Sequence, residues 1–354
     1  MSDQKNILIC PLNWGLGHAS RNVPIIRLFI FHNFNVIIAS QGDAYKYLQA
    51  EFPELKFVVL PGYSVKYSKT NSQGLKMLLL IPKIVLWTIM EHQKIKEIIN
   101  KLNVDIVFSD NRFGLWNKKT YNIFMTHQLK VKFPRSVSFL EPIYQVISNF
   151  FIRKFNECWI PDYKGECNLS GELSHIKTYL KNSYFIGPLS KFAALKLDKE
   201  DSKIKILFIL SGPEPQRSIF ESIIYEQTKS SNLKYVIVRG TSNKCTHPFK
   251  YAVYDILNSE ELIRLINKSE LIVCRSGYSS VMDLFYIKKK AVLVPTPGQT
   301  EQEYLTEYLN TKGYFYTVSQ NEFNINNAIN KAIEFPNIDI EEEQILEKRI
   351  MNLK

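Results

Sequence analysis

Short apolar runs recur through the whole chain, and this repetition constrains the fold more than any other feature. Most runs end at a turn containing Gly, Ser or Pro, and a segment of helix length separates most runs from the next. Continuous apolar runs are typical of strands buried on both faces, and strands that alternate with helices build a parallel sheet. The predicted strands are residues 5–10, 35–39, 56–60, 105–108, 122–125, 158–160, 184–186, 205–210, 234–238, 271–274 and 291–294.

The length and the break in this rhythm predict two domains. A chain of 354 residues is too long for one ordinary core. The pattern stops at Gly187-Pro188, where the sequence loses periodicity and gains charge, and it restarts at residue 205. We therefore predict an α/β protein with two Rossmann-like, doubly wound parallel-sheet domains that face a cleft. The predicted boundaries are a domain over 1–187, a linker over 188–203, a domain over 204–340 and a C-terminal helix over 341–354.

The positive charge is concentrated in the first half of the chain. Residues 1–190 hold 23 Lys and Arg against 13 Asp and Glu, a net +10, whereas residues 191–354 hold 22 against 21, a net +1. Such an imbalance favours an anionic partner, such as a membrane surface, an acidic substrate or nucleic acid. No nucleic-acid motif is present, and the basic residues are not regularly interleaved with aromatic ones, so no nucleic-acid partner is expected.

Residues 75–90 (LKMLLLIPKIVLWTIM) are the most apolar segment. Its core of 14 residues, interrupted by Pro82 and Lys83, is shorter than the ~18–20 apolar residues that span a bilayer. We favour a buried helix pair; the alternative is an apolar patch that enters a membrane surface. In that alternative, anionic headgroups are faced by four lysines: Lys66, Lys69, Lys76 and Lys83. The basic segment 130–135 adds further positive charge.

Cysteine usage indicates a reducing compartment. The five cysteines, at positions 10, 158, 167, 245 and 274, show no paired spacing, which is typical of free thiols in a cytoplasmic protein. The sequence predicts no metal site and no cofactor.

Three strand-to-helix corners in the second half suit a nucleotide and a sugar. Glycine at such a corner lets backbone N–H groups approach an anion, and a helix N-terminus favours phosphate. A carboxylate two helical turns after the second corner is available to ribose hydroxyls, and amides and carboxylates at the third corner suit sugar hydroxyls. Each corner taken singly could equally be a helix cap. The predicted binding residues are Ser211, Gly212, Arg217, Arg275, Ser276, Gly277, Tyr278, Ser279, Ser280, Asp283, Gln299, Glu301, Gln302 and Glu303.

The order of these motifs, with SGPEPQR, RSGYSSVMD and PTPGQTEQEY each after a strand, resembles the C-terminal domain of GT-B glycosyltransferases. The likeness is to the family 28 group, which includes the peptidoglycan N-acetylglucosaminyltransferases. It implies that Ser276-Gly277 and Asp283 hold the nucleotide ribose, with Asp283 where the family usually has Glu. It also implies that Gln302 grips the donor sugar, with Glu303 in place of the family's second Gln.

The first corner of the chain, Gly15-Leu16-Gly17-His18, is similar to the glycine-rich loop of the same enzymes, in which a His opens the first helix. Gly15 and Gly17 are therefore further predicted nucleotide-sugar-binding residues. Inverting transfer needs a base, and a His at a helix N-terminus stays neutral and able to accept a proton. We therefore predict His18 as the base, with Asp110 and His127 as further candidates; a structural cap is the alternative for His18. Asn111 and Arg112 could position an acceptor or cap a loop.

The resemblance implies that residues 1–187 form the acceptor side and residues 204–340 bind a UDP-sugar. We predict a metal-independent transferase that moves a hexosyl group, with an N-acetylhexosaminyl group as one candidate, from a UDP-sugar to a hydroxyl acceptor. A lipid-linked or anionic acceptor would suit the basic half and residues 75–90, and would place the protein in the cytoplasm at the inner face of the membrane.

Two alternatives remain open. The pattern G-x-G-H-x-x-R, which ends at Arg21, is at least as similar to UDP-sugar hydrolases of the same fold, in which the His activates water. A non-catalytic basic protein that binds a membrane or nucleic acid is the third candidate.

Overall fold

The computed structural model describes residues 4–13, 15–62, 73–195, 203–336 and 345–354, and the side chains of the helix that begins at residue 73 only from residue 85 onward. The described residues up to 191, together with those of the C-terminal segment 345–354, form one compact unit, and residues 192–336 contribute the second. Each unit is a parallel sheet with helices, so the predicted α/β class is confirmed.

The sheet of the first unit has the order β3-β2-β1-β4-β5-β6-β7, and all its neighbouring strands are parallel. Its strands are β1 (Asn6–Cys10), β2 (Asn35–Ser40), β3 (Lys56–Val59), β4 (Ile106–Asp110), β5 (Tyr121–Met125), β6 (Glu157–Ile160) and β7 (Ser183–Phe185). Its helices are α1 (Leu16–Phe31), α2 (Gly42–Glu51), α3 (Gln73–Leu102), α4 (Glu141–Ile152) and α10 (Ile345–Met351), with 3₁₀ turns at Arg135–Leu140 and Gly171–Leu173.

The central strand of this sheet is apolar and buried, as the apolar runs predict. Ile7, Leu8 and Ile9 of β1 are fully buried, since helices cover both faces of a central parallel strand. β1 lies between β2 and β4, so the chain leaves β1 in one direction and later returns on its other side. Ligands of open parallel sheets bind outside the carboxyl ends of the strands at such a switch point.

The sheet of the second unit has the order β10-β9-β8-β11-β12-β13 and is also parallel. Its strands are β8 (Ile204–Ile209), β9 (Tyr235–Val238), β10 (Val253–Tyr254), β11 (Ser269–Cys274), β12 (Ala291–Leu293) and β13 (Tyr316–Thr317), and its helices are α5 (Gln216–Thr228), α6 (Ser259–Asn267), α7 (Tyr278–Ile287), α8 (Thr300–Thr311) and α9 (Ile325–Glu334). The two-residue edge strands β10 and β13 were not predicted, because so short a segment carries no apolar pattern. The switch point here lies between β8 and β11.

The prediction of a buried helix pair over residues 75–90 is wrong for the side chains that the structure describes. The backbone forms one continuous helix, α3. Its later part covers the sheet through Ile95, Ile98 and Ile99. Four apolar side chains before that part are exposed by 43–57%: Val85, Leu86, Ile89 and Met90. Apolar composition alone does not distinguish a helix in a core from a helix that extends past its sheet. The side chains of Lys66, Lys69, Lys76 and Lys83 lie outside the described residues.

Candidate functional site

The switch point of the first sheet brings together three predicted catalytic residues. His18 lies in the first turn of α1, Asp110 is the last residue of β4, and His127 follows β5. The corner turns at Gly15, whose φ of 92° is a conformation that glycine adopts without strain. Helix α1 begins at Leu16, so His18 is held by regular helical backbone beside the end of β4.

Arg21 and Asn22 complete this cluster, which we call the α1–β4 cluster: His18, Arg21, Asn22, Asp110 and His127. Nδ1 of His18 lies 3.2 Å from each carboxylate oxygen of Asp110. Nε of Arg21 donates to Oδ2 of Asp110 at 2.9 Å, and an Nη2 hydrogen of Arg21 reaches Oδ1. Asn22 donates from Nδ2 to the same carboxylate at 2.7 Å.

The electrostatics of the cluster favour an ionised Asp110 and a neutral His18. Burial opposes the charge of Asp110, but the adjacent Arg21 outweighs it and holds the pKa of Asp110 well below its ordinary value. Burial lowers the pKa of His18 below its ordinary value, and the charge of Arg21 lowers it further, while Asp110 opposes both. A neutral imidazole oriented by a carboxylate can accept a proton from a hydroxyl group or from water.

Arg21 and Asn22 were not predicted as functional residues. They lie three and four positions after His18 and therefore share its face of α1. The signal in the sequence was two polar residues on the helix face that also carries a candidate base. Arg112 has a structural role. It is buried, pairs with Glu91 of α3 at 2.9 Å and donates to the carbonyl of Pro61 at 2.8 Å, so it holds the segment that follows β3 in place.

In the second unit, the corners that follow β8, β11 and β12 converge. A Cβ on Gly212, in the β8 corner, would lie 3.5 Å from Oγ1 of Thr296 in the β12 corner. The backbone N–H of Thr296 donates to Oε1 of Gln302 at 2.8 Å, and Ser276 of the β11 corner donates to the carbonyl of Gln302 at 3.1 Å. The sequence prediction that these corners are neighbours therefore agrees with their packing.

Two of the predicted cation contacts are turned into the protein. Arg275 is 1% exposed and donates to the carbonyls of Gln216 (2.9 Å) and Pro295 (3.0 Å) and to Gln320 (2.6 Å). Its guanidinium thus ties the β8 and β12 corners to the β11 corner, and burial lowers its pKa to about 10. Arg217 is 3% exposed and pairs with Glu214 at 2.6 Å and Glu221 at 2.5 Å.

The remaining predicted groups divide by exposure. Tyr278 is buried in the core and Ser276 is fully buried. Ser279, Asp283 and Gln299 are partly exposed, and Gly212 and Glu303 are exposed. Thr296, which was not predicted, is 2% exposed, and its hydroxyl has no hydrogen-bond partner among the described residues. The corners therefore offer backbone N–H groups, two serine hydroxyls of α7 and a carboxylate, rather than the two arginine side chains.

Comparison with known proteins agrees with this geometry. Residues 206–348 match the glycosyltransferase family 28 C-terminal domain. A stretch of 136 residues is 22% identical to a UDP-N-acetylglucosamine–N-acetylmuramyl-(pentapeptide) pyrophosphoryl-undecaprenol N-acetylglucosamine transferase of a Sulfurihydrogenibium species; the match spans 38% of this chain and 38% of that relative.

Solved structures extend the likeness over the whole chain. The spinosyn rhamnosyltransferase SpnG (TM-score 0.63, 10% identity) covers 98% of this chain and 95% of its own. The glycotransferase of kitacinnamycin (TM-score 0.62, 12% identity) covers 99% and 94%, and MurG of Acinetobacter baumannii (TM-score 0.52, 10% identity) covers 99% and 93%. The predicted resemblance is confirmed: the chain has the GT-B fold of glycosyltransferases, and residues 206–348 carry the sequence pattern of the family 28 C-terminal domain.

Proposed function

We propose that the protein is an inverting glycosyltransferase that moves a hexosyl group from a UDP-sugar to a hydroxyl acceptor. The observation that carries the proposal is the α1–β4 cluster, because a neutral, oriented base at the switch point of this fold is what hydroxyl attack requires. The family 28 match over residues 206–348 and the relative that uses UDP-N-acetylglucosamine support a UDP-sugar as donor.

In the proposed reaction, the base belongs to the first unit and the donor-binding groups belong to the second. The acceptor oxygen attacks C1 of the donor sugar, the bond from C1 to the diphosphate oxygen breaks, and UDP leaves with the bonding electrons. The hydroxyl proton passes to Nε2 of His18 in the tautomer whose Nδ1 hydrogen is donated to Asp110. Backbone N–H groups of the β8 and β11 corners and the N-terminus of α7 stabilise the diphosphate charge, and Asp283 binds ribose hydroxyls.

We propose a lipid-linked acceptor because α3 and α4 leave apolar side chains uncovered. On α3 these are the four side chains already named, and α4 with the preceding 3₁₀ turn adds five that are 45–70% exposed: Phe139, Ile143, Val146, Ile147 and Phe150. The last four have the spacing of a single helix face. We call this set the apolar α3–α4 surface. Exposed patches of this kind are typical of protein or membrane contacts.

Positive charge also favours an anionic partner for this surface. Nζ of Lys154 lies 4.8 Å from the ring centroid of Phe150, and residues 1–190 carry a net charge of +10. We therefore propose an anionic membrane surface as the partner that presents the acceptor. Within the part of the chain that the structure describes, every helix is too short or too polar to cross a membrane.

Hydrolysis of the UDP-sugar is the second candidate, favoured by the G-x-G-H-x-x-R pattern that ends at Arg21. A screen of UDP-, GDP- and dTDP-sugars by thermal shift identifies the donor, because a ligand of the folded state raises the Tm. UDP release is then followed with and without candidate lipid-linked acceptors. Release that requires the acceptor supports the transferase, whereas release at the full rate in its absence would identify a hydrolase.

A further inference from the structure

Arg21 contacts three other members of the α1–β4 cluster. Besides its two contacts with Asp110, it places Nη1 2.8 Å from Nδ1 of His127 and Nη2 2.8 Å from Nδ1 of His18. Its side chain is 2% exposed, so its charge faces these protein groups rather than water. Within the described part of the first unit, the ionisable groups that interact with His18 are Arg21 on the same helix, Asp110 on β4 and His127 after β5.

The contacts at Nδ1 of His18 exclude each other chemically. Guanidinium nitrogens only donate, so Arg21 can bond this atom only when the atom carries a lone pair. An ionised carboxylate only accepts, so Asp110 can bond it only when it carries a hydrogen. In the first state the neutral ring has its hydrogen on Nε2, and in the second its lone pair is on Nε2. Only the second state can take a proton from an acceptor at Nε2.

The distances favour the first state at rest. Arg21 lies 2.8 Å from Nδ1, and the Asp110 oxygens lie 3.2 Å from it. Asp110 is satisfied without His18, because Arg21 and Asn22 both donate to it. His127 faces the same guanidinium through its own Nδ1, which can accept this hydrogen bond only through a lone pair on that atom.

We propose that Arg21 is a positioning residue that acts through His18: it competes with Asp110 for Nδ1 of His18 and opposes protonation of the ring. This inference rests on the proposed role of His18 as base. The cation and the competing donor act in different ways. The cation disfavours the imidazolium form, and the donor lowers the fraction of neutral rings that can act as a base at Nε2.

The kinetic test compares Arg21→Met with Arg21→Lys over the pH profile of kcat/KM. Loss of the cation next to the buried carboxylate makes His18 easier to protonate. As the pH falls, His18 therefore takes up its proton and stops acting as a base at a higher pH than in the wild type. We expect the acidic limb of Arg21→Met to move up by about one pH unit or more, the size typical of a nearby charge. Arg21→Lys keeps the cation, so its limb should stay close to that of the wild type. A role confined to folding would lower kcat/KM by one factor at every pH, and an unmoved limb in Arg21→Met would overturn the proposal.

A second measurement does not depend on activity or on the variants. Two-dimensional NMR of the wild-type protein with ¹⁵N-labelled histidine reports which ring nitrogen carries the hydrogen at pH 8. We expect His18, assigned by comparison with His18→Gln, to carry it on Nε2. A hydrogen on Nδ1 would overturn the inference even if the transferase activity is established, whereas a hydrogen on Nε2 in a protein without transferase activity would leave the geometry correct and the proposed function wrong.

Discussion

Replacement of Asp110 by Asn tests the buried charge of the α1–β4 cluster. Asp110 is fully buried and accepts hydrogen bonds from Arg21 and Asn22. The amide keeps one acceptor oxygen but removes the charge that balances Arg21, which is itself 2% exposed. Removing one partner of a buried ion pair costs about 3–5 kcal/mol, and we expect a loss of that size in the free energy of unfolding at pH 7.

The pKa of Asp110 determines how the stability loss in Asp110→Asn depends on pH. The pKa of Asp110 in the folded protein lies well below its unfolded value of about 3.9. Its ion pair therefore stabilises the fold above that unfolded value, and the stabilisation is lost as the pH falls further towards the folded pKa. The difference in stability between the wild type and Asp110→Asn should be constant from pH 7 to about 5 and should shrink below about pH 4.

Urea unfolding followed by tryptophan fluorescence is the assay, because all four tryptophans lie before residue 160 and report on the first unit alone. Asp105→Asn is the matched control: this carboxylate lies next to the other end of β4, is exposed, and accepts one bond from the backbone of Asn6 at 2.7 Å. It should change stability by less than about 0.5 kcal/mol. A loss below 1 kcal/mol in Asp110→Asn, or a difference that does not change down to pH 3, would refute the buried pair.

Three further perturbations address the donor, the membrane and the metal. Gly277 has a φ of −66°, and the nearest atom to an added Cβ is Nε2 of Gln302 at 4.0 Å, so the variant Gly277→Val should fold normally. Its side chain should cover the N–H groups of the β11 corner and thereby abolish the rise in Tm caused by UDP. Phe150→Glu should reduce flotation with anionic vesicles at least tenfold, whereas Ile333→Glu, equally exposed but on α9 of the second unit, should float like the wild type; equal flotation of the two variants would remove the apolar α3–α4 surface from membrane binding. EDTA should leave turnover within about twofold, since the proposal assigns leaving-group stabilisation to helix N-termini and not to a metal; a loss restored by Mg²⁺ or Mn²⁺ would contradict that assignment.

The fold was predictable because strands buried on both faces of a parallel sheet are apolar along most of their length. The run that contains β1 and the run that contains β11 both ended where a polar corner began, and the structure places the strands there. The same periodicity could not tell where α3 leaves the sheet, because Leu86 and Ile95 look alike in sequence. Only the structure shows the first exposed and the second buried.

The candidate site was predictable in its positions but not in the directions of its side chains. The corner after β1 and the end of β4, which meet at a switch point, allowed His18 and Asp110 to be predicted from the sequence. Sequence could not show that Arg275 turns inward, because a cation after a strand suits a phosphate and a carbonyl-lined corner equally well. Arg21 was visible as part of a motif, but its contacts with Asp110 and His127 depend on the pairing of β4 with β1 and β5.

The central claim is that His18 is the base of a UDP-sugar transferase. The most direct measurement is the acceptor-dependent transfer of labelled sugar, under saturating donor, by the wild type and by His18→Ala. The account predicts that the variant keeps the rise in Tm caused by UDP but loses about 10²–10⁴ in kcat. Transfer by His18→Ala at the wild-type rate would contradict it, as would a wild-type protein that binds UDP-sugars and passes the sugar only to water.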